Sequence, residues 1–247
     1  MSEALFEVFG VTVTVTGAYA FLSILVLILF MSLWLFGRKK RTGRDIFAGQ
    51  VINGAGFGLL PALAVLKGFQ EMSTGAGAPV FEPLPEIRWM TVNGFFRPGR
   101  IETIASLGCF IVLCLWLIIR KKEIPDNGDL LMIAVCIWAT IRLVSEDFRA
   151  EPRDLFRYTS CGTLACCMIL WSVRKAKKTG LPVRMIADLA GVTICIAINL
   201  VTAKGILSAG SRVADFAVQT GSAILALVLT LTVGGELRRI IQREEEP

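Results

Sequence analysis

The chain has 247 residues, 54% of them hydrophobic, and a formal net charge of +6. Soluble domains usually stop at about 45–50% apolar even with glycine counted, so composition alone excludes an ordinary soluble fold and indicates an all-α, polytopic integral membrane protein. The positive balance does not indicate a nucleic-acid partner, because the basic residues lie in short clusters between apolar runs rather than along one polar face.

No histidine is present, which removes imidazole as a base or metal ligand. Cysteines 109, 114, 136, 161, 166, 167 and 195 form no CxxC pair, so they are expected as small core residues. Neither a metal nor a cofactor is expected.

The acidic start, MSEALFEVFG, is unlike the positive start of a secretory signal, so the first apolar run is expected to stay attached as a helix. A spanning helix needs about 20 mostly apolar residues, and about seven segments reach or approach that length.

The first covers 11–36 and is followed by Arg38, Lys39, Lys40, Arg41 and Arg44. The second, 46–66, contains GQVINGAGFGLLP. Its Gln50, Asn53 and glycines suit either close helix packing or a wall where a lipid approaches the backbone. Residues 67–100 hold STGAGAP, EPLPE and NGFFRPGR, too rich in Gly and Pro for a long helix and expected as an extracytoplasmic cap.

The third span, 101–119, is entered past Arg97 and Arg100, begins with Glu102, and leads to Arg120, Lys121 and Lys122. The fourth, 130–147, carries Trp138, Arg142 and Glu146. The fifth, 157–173, ends in Arg174, Lys175, Lys177 and Lys178; the sixth, 185–203, holds Asn199, expected to hydrogen-bond between helices; the seventh, 213–234, is followed by Arg238, Arg239 and Arg243. Alternate connections therefore hold most of the Lys and Arg. The positive-inside rule makes those connections cytoplasmic, with the N-terminus outside and the C-terminus inside.

Topology does not explain the charges around the fourth span. Arg142, Glu146, Arg149 and Arg153 are spaced i, i+4, i+7, i+11, one face of a helix expected to run to Pro152. An arginine within a span is costly unless it faces a polar interior, and its planar fork can hold phosphate oxygens by two parallel hydrogen bonds. An anionic lipid headgroup is the expected ligand. Arg153, Asp154 and Arg157 are expected as a snorkelling, ion-paired interface.

The stretch FFRPGRIETIASLGCFIVLCLWLIIRKKEIPDNGDLLMIAVCIWATIRLVSEDFRAEP resembles the C-terminal half of bacterial prolipoprotein diacylglyceryl transferase. That family has a helix opening with a Pro-Ser-Gln-Leu-Tyr-Glu-like motif, a basic turn, and a helix ending in Arg-x-x-x-Glu-x-x-Arg-x-Pro. Here the ending is Arg142, Glu146, Arg149 and Pro152, one residue longer before the proline. The resemblance covers 11–178, strongest over 95–178, with 179–247 as two additional helices of the same single domain. DIFAGQVINGAGFG is similar to the helix leading into the family's Gly-Arg-x-Gly-Asn motif. That motif's arginine falls on Leu59, and the family's His-Gly-Gly helix falls near Thr16, Gly17 and Ala18.

The resemblance implies a protein of the bacterial cytoplasmic membrane that binds phosphatidylglycerol, with transfer of a diacylglyceryl group to a lipobox thiol. Arg142, Glu146 and Glu102 are then the catalytic candidates. Arg142, Arg149, Arg100, Arg97, Trp138 and Asn53 are the substrate-contact candidates. Without the histidine, activation of the thiol would fall to Glu102 or Glu146. The alternative is an inactive subunit that binds phospholipid, a lipoprotein or another membrane protein. A transporter would show interrupted helices in matching halves, and only the second span has that character.

Overall fold

A computed structural model describes residues 4–8, 11–42, 48–70, 77, 79–80, 90–119, 128–150, 154–180 and 183–245. Seven helices lie among them: α1 (Val15–Thr42), α2 (Ala48–Gln70), α3 (Pro98–Ile119), α4 (Asp129–Glu146), α5 (Asp154–Thr179), α6 (Val183–Ala203) and α7 (Arg212–Glu245). Two small antiparallel hairpins join them, β1 (Ala4–Val8) with β2 (Val11–Thr14) and β3 (Thr91–Val92) with β4 (Phe95–Phe96). The protein is all-α, and five helices, α1, α2, α3, α6 and α7, contain stretches long and apolar enough to cross a membrane.

The first helix starts later than its hydropathy suggests. VTVT alternates β-branched residues that suit a strand, and it pairs with β1. Thr14 then caps α1, its Oγ1 accepting the Gly17 N–H at 3.1 Å, as an N-cap threonine does. The β3–β4 turn is Asn93-Gly94, with φ of 53° and 77°. Left-handed backbone at both positions fits the right-handed twist of a hairpin, and Asn-Gly tolerates it best.

Side-chain pairs give the relative directions of the helices. Asp129 at the start of α4 meets Arg174 near the end of α5, whereas Asp147 just past α4 meets Arg157 in the first turn of α5. Asn199 and Arg184 of α6 meet Gln219 and Glu236 of α7 in the reverse order. Lys67 near the end of α2 meets Glu102 near the start of α3. Consecutive helices therefore alternate in direction, which sorts their termini into two ends. One end carries the β3–β4 hairpin; the other carries the lysines and arginines of the α5–α6 connection.

Between the two ends lies one apolar core, to which α2, α3, α4, α5, α6 and α7 contribute Leu60, Leu113, Leu143, Trp171, Cys195 and Val233 among others. The helix at its centre is α4, packed against α2, α3, α5 and α7. It has too many charges to read as an apolar span, yet Asp129 and Glu146 are buried in protein, where polar groups are tolerated inside a membrane. Cys136, Cys161, Cys167 and Cys195 are buried in this core as free thiols.

The glycines of α2 set its neighbours' approach. A Cβ on Gly54 or Gly58 would strike Met31 or Leu27 of α1, while one on Gly56 would fall 2.4 Å from the Leu131 nitrogen of α4. Spacing i, i+4 puts Gly54 and Gly58 on one side and Gly56 on another. Of the two expectations for GQVINGAGFGLLP, helix packing is the one these contacts display.

Candidate functional site

At the hairpin end α4 stops at Glu146, and Phe148 is drawn into an aromatic cluster with Phe96 and Phe216, at ring separations of 4.7 and 4.9 Å. The expected helix to Pro152 is not formed. Instead the N–H groups of Asp147, Phe148 and Arg149 each bond three residues back, to Val144, Ser145 and Glu146, the tightened geometry of a closing last turn. Arg149 therefore leaves the helical face on which its spacing from Arg142 placed it, and bridges to Gly77 instead. Glu151, Pro152 and Arg153 lie outside the described residues, as do Arg44 and the basic turn Arg120, Lys121 and Lys122.

Glu102 organises this end. It is 2% exposed, and its Oε1 accepts from Ser145 Oγ at 2.8 Å and from the Arg149 guanidinium at 2.9 Å. Its Oε2 faces Lys67 Nζ at 3.1 Å. Arg149 Nε is also 3.0 Å from Glu146 Oε1, an ion pair whose N–H is not aligned for a hydrogen bond. Two cations and two carboxylates from α2, α3 and the end of α4 thus form one neutral cluster. The ion pairs, and the hydrogen bonds that Glu102 accepts, make it a structural joint, since a buried charge is stable only when it is paired.

Arg142, one turn earlier on α4, faces α5. Its guanidinium carbon lies 3.9 Å from the Phe156 ring centre and 5.4 Å from that of Trp138. Ring faces attract a cation by about 0.5–2 kcal/mol depending on exposure, and stacking fixes the plane of the fork while oxyanions bind within that plane. Arg97 and Arg100 stand on either side of Pro98 at the entry to α3, five and two residues before Glu102.

Asn53 lies elsewhere. It is fully buried, and its Oδ1 accepts the Leu130 N–H at 3.0 Å, satisfying a donor at the start of α4 that its own N-cap, Gly128, leaves without a side-chain partner. Leu130 and Arg142 are about 18 Å apart along α4 at about 1.5 Å per residue. Asn53 is accordingly a cap for α4, and the structure does not bring it to the arginines. Glu102, Glu146 and Arg149 are brought together at the hairpin end, Arg142 lies against Trp138 of its own helix and Phe156 of α5, and Arg97 and Arg100 stand at the start of α3.

Arg157 is the residue whose weight the sequence conceals. Expected at an interface, it is 4% exposed. It donates to Asn199 Oδ1 at 3.3 Å, to Gln219 Oε1 at 3.1 Å and to Asp147 Oδ1 at 2.5 Å. Asn199 in turn donates to the Gln219 carbonyl at 2.9 Å, the interhelical role expected of it. The available signal was that Asn199 and Gln219 each need a partner inside an apolar run, at the level where α5 begins. Asp154, by contrast, is exposed and pairs with Lys204, and this hydrogen bond, helped by one to Tyr158, raises the lysine pKa.

The basic end has its own ties. Asp129 accepts from Trp171 Nε1 at 3.2 Å and from Arg174 at 3.4 Å, and Glu236 joins Lys175 and Arg184. Among known proteins, the chain matches no family model, no curated protein and no solved structure.

Proposed function

We propose that this membrane protein binds the phosphate headgroup of an anionic phospholipid, of the phosphatidylglycerol class, at its hairpin end. Arg142 is the principal phosphate ligand, with Arg97 and Arg100 at the entry to α3 as approach charges. In this reading α4 and α5 also cross the bilayer, shielded by their neighbours, and the basic end is cytoplasmic by the positive-inside rule. The site then faces the outer leaflet of a bacterial cytoplasmic membrane.

The observation that carries the proposal is the placement of the Arg142 guanidinium over the rings of Phe156 and Trp138. A guanidinium whose plane is held by aromatic rings is a pre-oriented fork, and pre-orientation reduces the entropy lost on binding. The resemblance to the diacylglyceryl transferases supports the same ligand.

Binding without transfer is favoured over transfer. A base for a lipobox thiol must be able to take its proton, and Glu102 and Glu146 are the carboxylates at hand. Both are engaged by Arg149, and Glu102 also by Lys67 and Ser145. The partner in that case is the lipid itself, or a lipoprotein presented with it.

Native mass spectrometry of protein purified from phosphatidylglycerol-containing membranes tests the proposal. Arg142→Ala should lose most of the retained lipid, while Arg184→Ala, at the basic end, should keep it. Equal retention by both variants refutes it. Rescue of a strain depleted of its own diacylglyceryl transferase would instead establish transfer.

A further inference from the structure

The pair Asp147–Arg157 has a property that the lipid site does not use. Oδ1 of Asp147 accepts from the guanidinium, but Oδ2 is buried with no hydrogen-bond partner. The Asp147 side chain is 10% exposed. Buried polar oxygens are rarely left unsatisfied, so an Asp147 oxygen in this position calls for a donor.

We propose that Asp147 is a proton-binding site, with the proton on Oδ2 and Arg157 retained on Oδ1. Protonation turns Oδ2 from an unmet acceptor into an O–H that can donate, and it removes the cost of keeping a carboxylate away from water. A metal cation is the poorer occupant, because the Arg157 guanidinium already lies against the same carboxylate.

The groups facing Asp147 set the balance. On α4, the neighbouring Glu146 carboxylate favours protonation, and on α5 Arg157 opposes it; α6 and α7 contribute the neutral Asn199 and Gln219, which share the Arg157 guanidinium. Farther charges are committed elsewhere: Arg149 to Glu102 and Glu146, Lys204 to Asp154, and Asp215 to Ser208 and the Ala209 N–H. Burial is the largest influence and pushes Asp147 above the usual aspartate range. A folded-state pKa raised in this way adds stability below the unfolded value of about 3.9, and that contribution is lost as pH rises through the folded value.

Proton uptake here has a mechanical consequence. Through Arg157 this carboxylate ties the end of α4 to α5, α6 and α7, so neutralising it converts an ion pair into a weaker, singly charged hydrogen bond at the joint of four helices.

Infrared difference spectroscopy of the full chain in lipid nanodiscs, titrated with pH, reads this directly. A protonated-carboxyl C=O band should persist above the ordinary aspartate pKa, vanish in Asp147→Asn and shift in Asp147→Glu. Asp188, whose Oδ2 is also buried and unpartnered, supplies the control, since Asp188→Asn should keep the band. If Asp147→Asn does not fold, aspartate labelled with ¹³C at its carboxyl makes the assignment through Asp147→Glu, which should return the band to its unlabelled position. A band that survives Asp147→Asn, that disappears in Asp188→Asn, or that titrates at or below the ordinary value overturns the proposal.

Discussion

Glu102 of α3 and Arg149, just beyond α4, meet at 2.9 Å in a place where the carboxylate is 2% exposed. The contact fastens the exit of one helix to the entry of another, and Lys67 of α2 closes it from the other side. Glu102→Gln keeps the shape but leaves Arg149 and Lys67 with one carboxylate between them. Breaking a buried pair from one side costs about 3–5 kcal/mol, so thermal unfolding in detergent should show a fall in Tm far larger than for removal of an exposed charge such as Arg184. An unchanged Tm would mean that the cluster is not holding the helices.

Gly56 is the tightest helix crossing that can be tested with a single methyl group. A Cβ there would lie 2.4–2.6 Å from backbone atoms of Leu130 and Leu131, and backbone cannot rotate away as a side chain can. Gly56→Ala should cost about 1–3 kcal/mol as overpacking. Gly108→Ala, where nothing lies within 4 Å, should be neutral or gain up to about 1 kcal/mol from helix propensity. Chemical or thermal unfolding of the two variants side by side gives the comparison.

Arg157→Leu removes the shared donor of Asp147, Asn199 and Gln219. Three acceptors lose a buried partner, and the expected loss is about 3–5 kcal/mol. Proteolysis should then reach the α6–α7 connection, residues 204–211, before the rest of the chain. Arg157→Lys should recover only part of the loss, because a single ammonium does not reproduce the planar fork.

Much of this architecture is legible in the sequence, and the reasons are local. Apolar runs place all seven helices, because burial in lipid or protein demands the same residues. The Asn93-Gly94 turn and the Gly-rich stretch of α2 declare themselves by residue type. The approach of the start of α3, with Glu102, to the end of α4, with Glu146, follows from the alternation of helices. What was not legible depends on contacts distant in sequence. Helical spacing carried Arg149 and Arg142 onto one face, but Phe148 packs on Phe96 and Phe216 and turns the chain away after Glu146. Arg157 resembled an interface residue because its acceptors sit 42 and 62 positions further on. Asn53 resembled a site wall because its partner is a backbone N–H, which no side-chain pattern reveals.

That last assignment has its own test. Asn53→Ala should leave the Leu130 N–H buried without its acceptor, at about 1–3 kcal/mol, and lower the Tm of the purified protein. Lipid retention should be unchanged, since Asn53 is remote from Arg142. Loss of lipid with no loss of stability would restore Asn53 to the binding site.

The central claim is that Arg142, held by Phe156 and Trp138, receives a lipid phosphate. Cryo-electron microscopy of the protein in phosphatidylglycerol nanodiscs measures this directly. The account predicts headgroup density in the plane of the Arg142 guanidinium, within hydrogen-bonding distance, and its disappearance in Arg142→Ala without a change in the helices. Headgroup density that instead sits at the basic end, or that persists at the hairpin end in Arg142→Ala, would contradict it.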